Sequence, residues 1–288
     1  MAATFFILLH WKRQQRVFLQ NRAKLTVQRD TKVVHDLRVA IKKLRSYLKL
    51  LVILLNKIDS KSGFEKTEQL FSVLGKYRDI EMGLLLLQSF EKENKIIYTA
   101  FRFQLKLALQ TTEIWAQNAL KKYDEKELFD LTRELGQDLK EKDKNDLSDK
   151  TSLILNKEFK KLKSIVKHFS SQPHEVRKML KNIFYWISIC PKDFLISNGE
   201  IKKLKKSLDL LGDWQDHEML HQKIKHFRKD FVPDSREEYL VLKELEKSIE
   251  SKMETKLQKA EEEIQAFSSI YSHLYHPIAG GDKIKLRN

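Results

Sequence analysis

The sequence holds a single cysteine, Cys190, in 288 residues. One thiol closes no disulfide within a chain and makes no Cys-rich zinc site. Only 4 prolines and 8 glycines are present. So few turn signals exclude a fold of many short strands. Long apolar runs are also lacking. Ala2 to Leu9 is apolar, but it is too short to span a bilayer. It has neither the basic start nor the small-residue cleavage site of a secretory signal, and it reads as the first turns of a core helix. No Gly-rich phosphate loop, nucleophile elbow or RNA-binding aromatic signature occurs. The expectation is a cytoplasmic, non-catalytic protein without cofactor, metal or membrane partner.

What is there is charge and helical periodicity. Charged residues make up 33% and apolar residues 41%. Lysine and arginine outnumber the acids, for a net charge of +15 and a pI near 9.6. A solvated surface accounts for many charges, but not for such an imbalance. The excess points to a polyanion, whether nucleic acid, anionic membrane or polyphosphate.

Apolar residues recur at helical spacing nearly throughout. Helices are expected over about 4–28, 32–58, 64–92, 95–122, 126–141, 151–170, 173–190, 199–229 and 235–269. Pro173 marks a helix start, Pro191 and Pro233 follow helix ends, and Asn198-Gly199 reads as a turn. Residues 140–150 are almost wholly polar and read as a surface linker. The tail after Pro277 reads as frayed.

Two motifs recur in the same order. His35-Asp-Leu-Arg38 is answered by His174-Glu-Val-Arg177, at an offset of 174 − 35 = 139. Leu74-Gly75-Lys-Tyr-Arg78-Asp79 is answered by Leu211-Gly212-Asp-Trp-Gln-Asp216, at an offset of 212 − 75 = 137. The chain therefore reads as a duplicated helical unit. The first repeat spans 1–145, the second 146–276, and 277–288 is a flexible tail.

On a helical wheel His35, Arg38, Lys42, Arg45 and Lys49 fall within roughly 80° of arc. Leu37, Ala40, Leu44, Leu48 and Leu51 lie opposite, and Lys43 lies off the stripe. His174, Arg177 and Lys181 repeat the design. Phe184 stands in the place of Arg45, and Asn182 in that of Lys43. A later helix carries Lys202, Lys205 and Lys206, on a face shared with Asp209, Asp213 and Asp216. Guanidinium forks and mobile ammonium groups one turn apart suit a ligand charged at every link. The plain alternative is a solvated face paired with acids of neighbouring helices.

Other residues invite weaker readings. His35-Asp36 is the dipeptide of HD-type metallohydrolases, but no upstream histidine set accompanies it. Asp79 and Asp216 read as groups that orient cations, or as caps. Gly75 and Gly212, inside helical patterns, imply close packing or a break. His217, His221 and His226 read as surface or partly buried histidines and not as a metal cluster. Trp11, Trp115, Trp186 and Trp214 read as core.

The motifs His35-x-x-Arg38-Val-x-x-Lys42-Lys43-Leu-Arg45 and Leu74-Gly75-x-x-Arg78-Asp79, each with a second copy, resemble the CHAD family (conserved histidine α-helical domain). The resemblance implies an all-α fold. It implies two helical-bundle repeats related by pseudo-twofold symmetry around a basic groove or pore. It also implies binding of inorganic polyphosphate and association with polyphosphate granules, here by a stand-alone domain. By position, the ligand-facing set would be His35, Arg38, Lys42, Lys43, Arg45, Arg78, His174, Arg177 and Lys181. Lysine replaces the family's usual arginine at 42 and 43. The second copy lacks two basic positions, so it is expected to contribute less. A nucleic-acid binder, a histidine phosphotransfer protein and a metal-dependent phosphohydrolase are the competing readings. With both halves in one chain, a monomer suffices.

Overall fold

A computed structural model describes residues 3–27, 30–57, 63–189 and 197–274. Cys190, Pro191 and the tail after Pro277 lie outside the described residues. Among the described residues there are nine α-helices, one short 3₁₀ turn and no strand. The helices are α1 (Ala3–Val27), α2 (Thr31–Leu55), α3 (Glu65–Asn94), α4 (Thr99–Lys122) and α5 (Lys126–Lys140). They continue with α6 (Lys144–Val166), α7 (Pro173–Ile187), α8 (Asn198–Phe231) and α9 (Glu237–Leu274). The all-α expectation holds.

Local chemistry sets the helix ends. The Asp30 carboxylate accepts from the Lys32 and Val33 amides at 2.7 and 3.2 Å, capping the start of α2. Its other end closes on Asn56 in the left-handed region, at φ 52°. Pro173 occupies the first turn of α7, where its missing N–H costs nothing. Ser197 and Glu200 form a reciprocal capping box for α8. Asn198-Gly199, expected as a turn, therefore lies within the first helical turn.

Two other expectations shift. Residues 144–150 belong to α6 and not to a linker, because Leu147 is fully buried and anchors the turn. Trp115 is half exposed on the outer face of α4 under the Lys76 ammonium, 5.8 Å from its ring centroid. The inner face of α4 is supplied by Phe101, Leu105 and Ala116 instead.

Two apolar cores hold the helices together. The larger packs Trp11 and Phe18 of α1 with Leu44 and Tyr47 of α2, Trp186 of α7 and Trp214 of α8. The smaller joins Phe90 of α3, Phe101 of α4, Phe227 of α8 and Ile249 of α9. Each such side chain contributes about 1.5–3 kcal/mol on burial. Both cores draw on residues before and after position 145. Helices α2 and α7 touch directly. The Trp186 indole N–H donates to the Ser46 carbonyl at 2.8 Å, and the Ser46 hydroxyl donates to Asn182 Oδ1 at 3.1 Å. This contact brings the two histidine-bearing helices side by side.

Candidate functional site

Helices α2, α3, α7 and α8 converge on a cluster of cations. Arg38 and Lys42 come from α2, and Arg177 and Lys181 from α7. These pairs sit at i and i+4, so each aims two charges from one helix face. Asp79 of α3 and Asp216 of α8 supply the opposite charge. The ammonium of Lys42 feels Arg38, Arg177, Asp216 and Asp79 together. That of Lys181 feels Lys42, Arg177, Arg38 and Asp216. The two motifs of the chain thus meet at one place.

Arg38 is the best-fixed member. It donates through Nη1 to the Phe71 carbonyl at 2.9 Å, and its guanidinium lies 4.3 Å from the Phe71 ring centroid. Gly75, one turn further along α3, leaves the room it needs. A Cβ there would stand 2.8 Å from Arg38 Nη1. Gly212 faces Arg177 in the same sense, but more loosely, with Nη2 at 3.9 Å. Both glycines lie in unbroken helix, so space for a guanidinium, not a helix break, explains them.

The electrostatics are those of an under-neutralised interior. Burial first, then Arg38 and Arg177, pushes Lys42 down to about 8. Burial, then Lys42 and the same arginines, pushes Lys181 down to about 6. Burial also raises the carboxyls of Asp79 and Asp216, and the surrounding cations oppose that rise. Among the described residues, Lys42, Lys181 and Arg177 make no ion pair. The Arg177 Nε–H is buried without an acceptor. Lys223 of α8, half-buried beside Asp79, adds a further cation.

The two histidines differ. His35 lies near Arg78, Lys42 and Arg38, and burial followed by these charges pushes its pKa below the ordinary value. His174 instead meets the Glu218 carboxylate, with Nε2 at 3.0 Å, and packs on Trp214 at 4.7 Å between ring centroids. Glu218 sits two residues after Asp216, as Glu81 does after Asp79. Glu81 is bound by Arg78 at 2.5 Å and by the Thr31 hydroxyl at 2.6 Å.

The remaining expected residues are spread out. Arg45 is stacked on the Phe71 ring at 4.2 Å and held by both Glu68 carboxylate oxygens. Lys49 is exposed near the Trp186 ring. Lys43 turns toward Arg13 and His10 of α1. Lys202, Lys205 and Lys206 are exposed on α8, where Lys206 pairs with Glu263 of α9 at 2.5 Å. Asp213 reaches Lys256 of α9 at 3.3 Å. The two basic positions missing from α7 have structural occupants. Asn182 binds Ser46, and Phe184 packs against Tyr185 and the larger core.

Sequence reasoning missed Lys223, and it missed the Asp-x-Glu pattern that pairs Asp79 with Glu81 and Asp216 with Glu218. The 137-residue offset that joins Asp79 to Asp216 would have found the second. It could not find Lys223, because the same offset leads to Leu86. His217 donates its Nδ1–H to the Asp213 carbonyl, 2.7 Å away, in a structural setting beside Phe90. Among the described residues no three His, Cys, Asp or Glu side chains are grouped to hold a metal. Nor is any helix there long and apolar enough to cross a membrane.

Comparison with known proteins bears on this arrangement. No curated protein matches the chain. The crystal structure of the CHAD domain from the plant Ricinus communis has a similar fold, with a TM-score of 0.68 at 15% identity. The match covers 92% of each chain. The family model for the CHAD domain matches residues 10–225, which include both histidine motifs and both glycine-aspartate motifs. The chain belongs to the CHAD domain family.

Proposed function

We propose that the interior cluster binds inorganic polyphosphate, or a similar chain of phosphates, without catalysing a reaction on it. The observation that carries this reading is the unmatched charge. Five basic side chains, Arg38, Lys42, Arg177, Lys181 and Lys223, surround two carboxylates, Asp79 and Asp216, and even with Lys181 neutral at its lowered pKa of about 6 the cations outnumber the acids. Arg78 is left out of that count because Glu81 holds it. Two lysines with strongly lowered pKa values are what an anion of high charge would relieve. It would supply the Coulomb partner that burial has removed. Arginine forks offer two-pronged contacts to phosphate oxygens, and lysines follow as point charges.

A chain fits better than a lone phosphate, because the cations are arranged in pairs one turn apart on two adjacent helices. A binding role fits better than catalysis, because the cluster's carboxylates are held among cations that oppose their protonation. Both motifs lie in one chain, so a monomer forms the cluster. Residence in the cytoplasm on polyphosphate granules follows from the same reading.

Competition binding near physiological salt tests it. Labelled long-chain polyphosphate is challenged with duplex DNA and RNA of matched charge. Salt is needed because counterion release makes low-salt binding indiscriminate. Polyphosphate is expected to prevail by about ten-fold or more, or roughly 1.4 kcal/mol. Equal competition would replace the reading with a general polyanion surface, for which the exposed Lys202 and Lys205 are then the starting point.

A further inference from the structure

The inner face of α4 is buried against α3 and α1. Its outer face is unusual for this chain. Charged residues make up 33% of the sequence. Yet of the described residues that are exposed between Phe103 and Asn118, Lys106 alone is charged. Phe103, Leu107 and Ile114 are instead 63%, 48% and 59% exposed. They form a contiguous apolar face, of the kind that marks an interaction site.

The spacing of that face is specific. Phe103, Leu107, Gln110 and Ile114 recur at intervals of four, three and four, which is the a/d seam of a two-stranded coiled coil. Leu105 and Thr112, at the opposite f positions, are buried in the fold, so the seam points outward. Lys106 and Glu113 take the g positions on one flank. Gln104, Thr111 and Asn118 take the e positions on the other and are uncharged. The pattern is self-complementary. Turned end for end, the seam sets Phe103 on Ile114 and Leu107 on Gln110 of a second copy, with Lys106 beside Glu113, and every contact is made twice. A parallel pair would set the g positions against neutral e positions and gain no ion pair. Lys106 has no ion pair of its own among the described residues. Glu113 has an interaction within its chain, and a carboxylate, with roughly four acceptor positions, accommodates a second.

We propose that α4 is a dimerisation surface, on which two copies of this chain pair antiparallel through Phe103, Leu107, Gln110 and Ile114, with reciprocal Lys106–Glu113 ion pairs at the flank. Gln110, the polar member of the seam, fixes the register at a cost in stability. One short helix pair lies at the low end of interface sizes, so the dimer is weak and reversible. No residue of α4 belongs to the cation cluster, so this inference goes beyond the polyphosphate reading and does not depend on it.

Sedimentation equilibrium of the full chain tests it, with circular dichroism to confirm that each variant folds. The wild type is expected to form dimers with a dissociation constant of about 1–100 μM. Leu107→Glu is expected to weaken association about ten-fold or more. Phe103→Ser, at the most exposed of the apolar positions, serves if Leu107→Glu disturbs folding. Lys106→Glu sets carboxylate against carboxylate at the flank, and is expected to weaken association about ten-fold. The exchange Lys106→Glu/Glu113→Lys is expected to restore it to within about three-fold of wild type. A wild type that stays monomeric at about 500 μM overturns the proposal and leaves the face to a different protein. A dimer that Leu107→Glu and Phe103→Ser leave unchanged overturns it as well, since the copies then meet elsewhere. So does an exchange variant that associates no better than Lys106→Glu alone.

Discussion

The guanidinium of Arg38 lies where a side chain on residue 75 would be, with Nη1 2.8 Å from the position a Gly75 Cβ would take. Replacing a helical glycine by alanine ordinarily gains about 1 kcal/mol. The atom in the way is the far end of a flexible side chain, so it can move. Gly75→Ala is therefore expected to leave unfolding free energy within about 1 kcal/mol of wild type while lowering polyphosphate affinity about ten-fold. Gly212→Ala meets Arg177 at an ordinary distance, and should gain stability with affinity unchanged. Urea unfolding and binding isotherms on both variants check the contrast. Equal affinities would show that Gly75 does not shape the site.

Lys181 gives the cluster a pH signature. Its folded pKa is about 6, well below its ordinary 10.5. Between those values the unfolded chain binds more protons at this residue than the folded one, so its contribution to stability rises with pH. The cost of holding it charged is complete below about pH 6 and gone above about 10.5. Lys181→Met should therefore raise the melting temperature of the ligand-free protein, most at pH 5 and little at pH 10. An apolar replacement of this kind gains about 1–4 kcal/mol where it packs well. A gain that is independent of pH would contradict a half-buried, depressed lysine.

His35 should report ligand directly. Burial and the charges of Arg78, Lys42 and Arg38 hold its pKa below the usual histidine range. Bound phosphate reverses that field, so its pKa should climb when polyphosphate is added. An NMR titration of the His35 ring, with and without ligand, measures the shift. A fall in the His35 value on binding would place the anion elsewhere.

The α2–α7 contact predicts a coupling between stability and binding. Trp186→Phe removes the indole donor to the Ser46 carbonyl and part of a fully buried side chain. The loss should be about 1–3 kcal/mol of unfolding free energy, with a weaker affinity, because Arg38 and Lys42 then sit less firmly against Arg177 and Lys181. Chemical denaturation alongside binding checks both. An unchanged affinity at reduced stability would show that the cluster does not depend on this crossing.

Much of this was legible in the residues. Helical spacing places nearly every helix, and the two motifs single out Arg38, Lys42, Arg177 and Lys181 as candidate ligand-facing residues before any coordinates. A helical wheel does not show depth, however. Lys42, Arg45 and Lys49 share a face of α2 but meet different neighbours along its axis. Lys42 meets the cluster, Arg45 meets Glu68 and Phe71, and Lys49 meets solvent. Only tertiary packing decides that. The polar run at 140–150 misleads for a related reason, since one buried side chain, Leu147, suffices to seat a helical turn whose composition is otherwise that of a loop. Lys223 was out of reach because the motif offset of 137 leads from it to Leu86.

The claim that the interior cluster holds the phosphates, and not the outer lysines, is tested most directly by two neutralised pairs. Arg38→Gln/Lys42→Gln removes two cluster cations, and Lys202→Gln/Lys205→Gln removes two exposed ones. Each charge-assisted contact contributes roughly 1.5–3 kcal/mol. At about 0.15 M salt the first pair should cost long-chain polyphosphate affinity about a hundred-fold or more, with helicity intact, and the second less than about three-fold. The opposite ranking, or equal losses, would contradict the account.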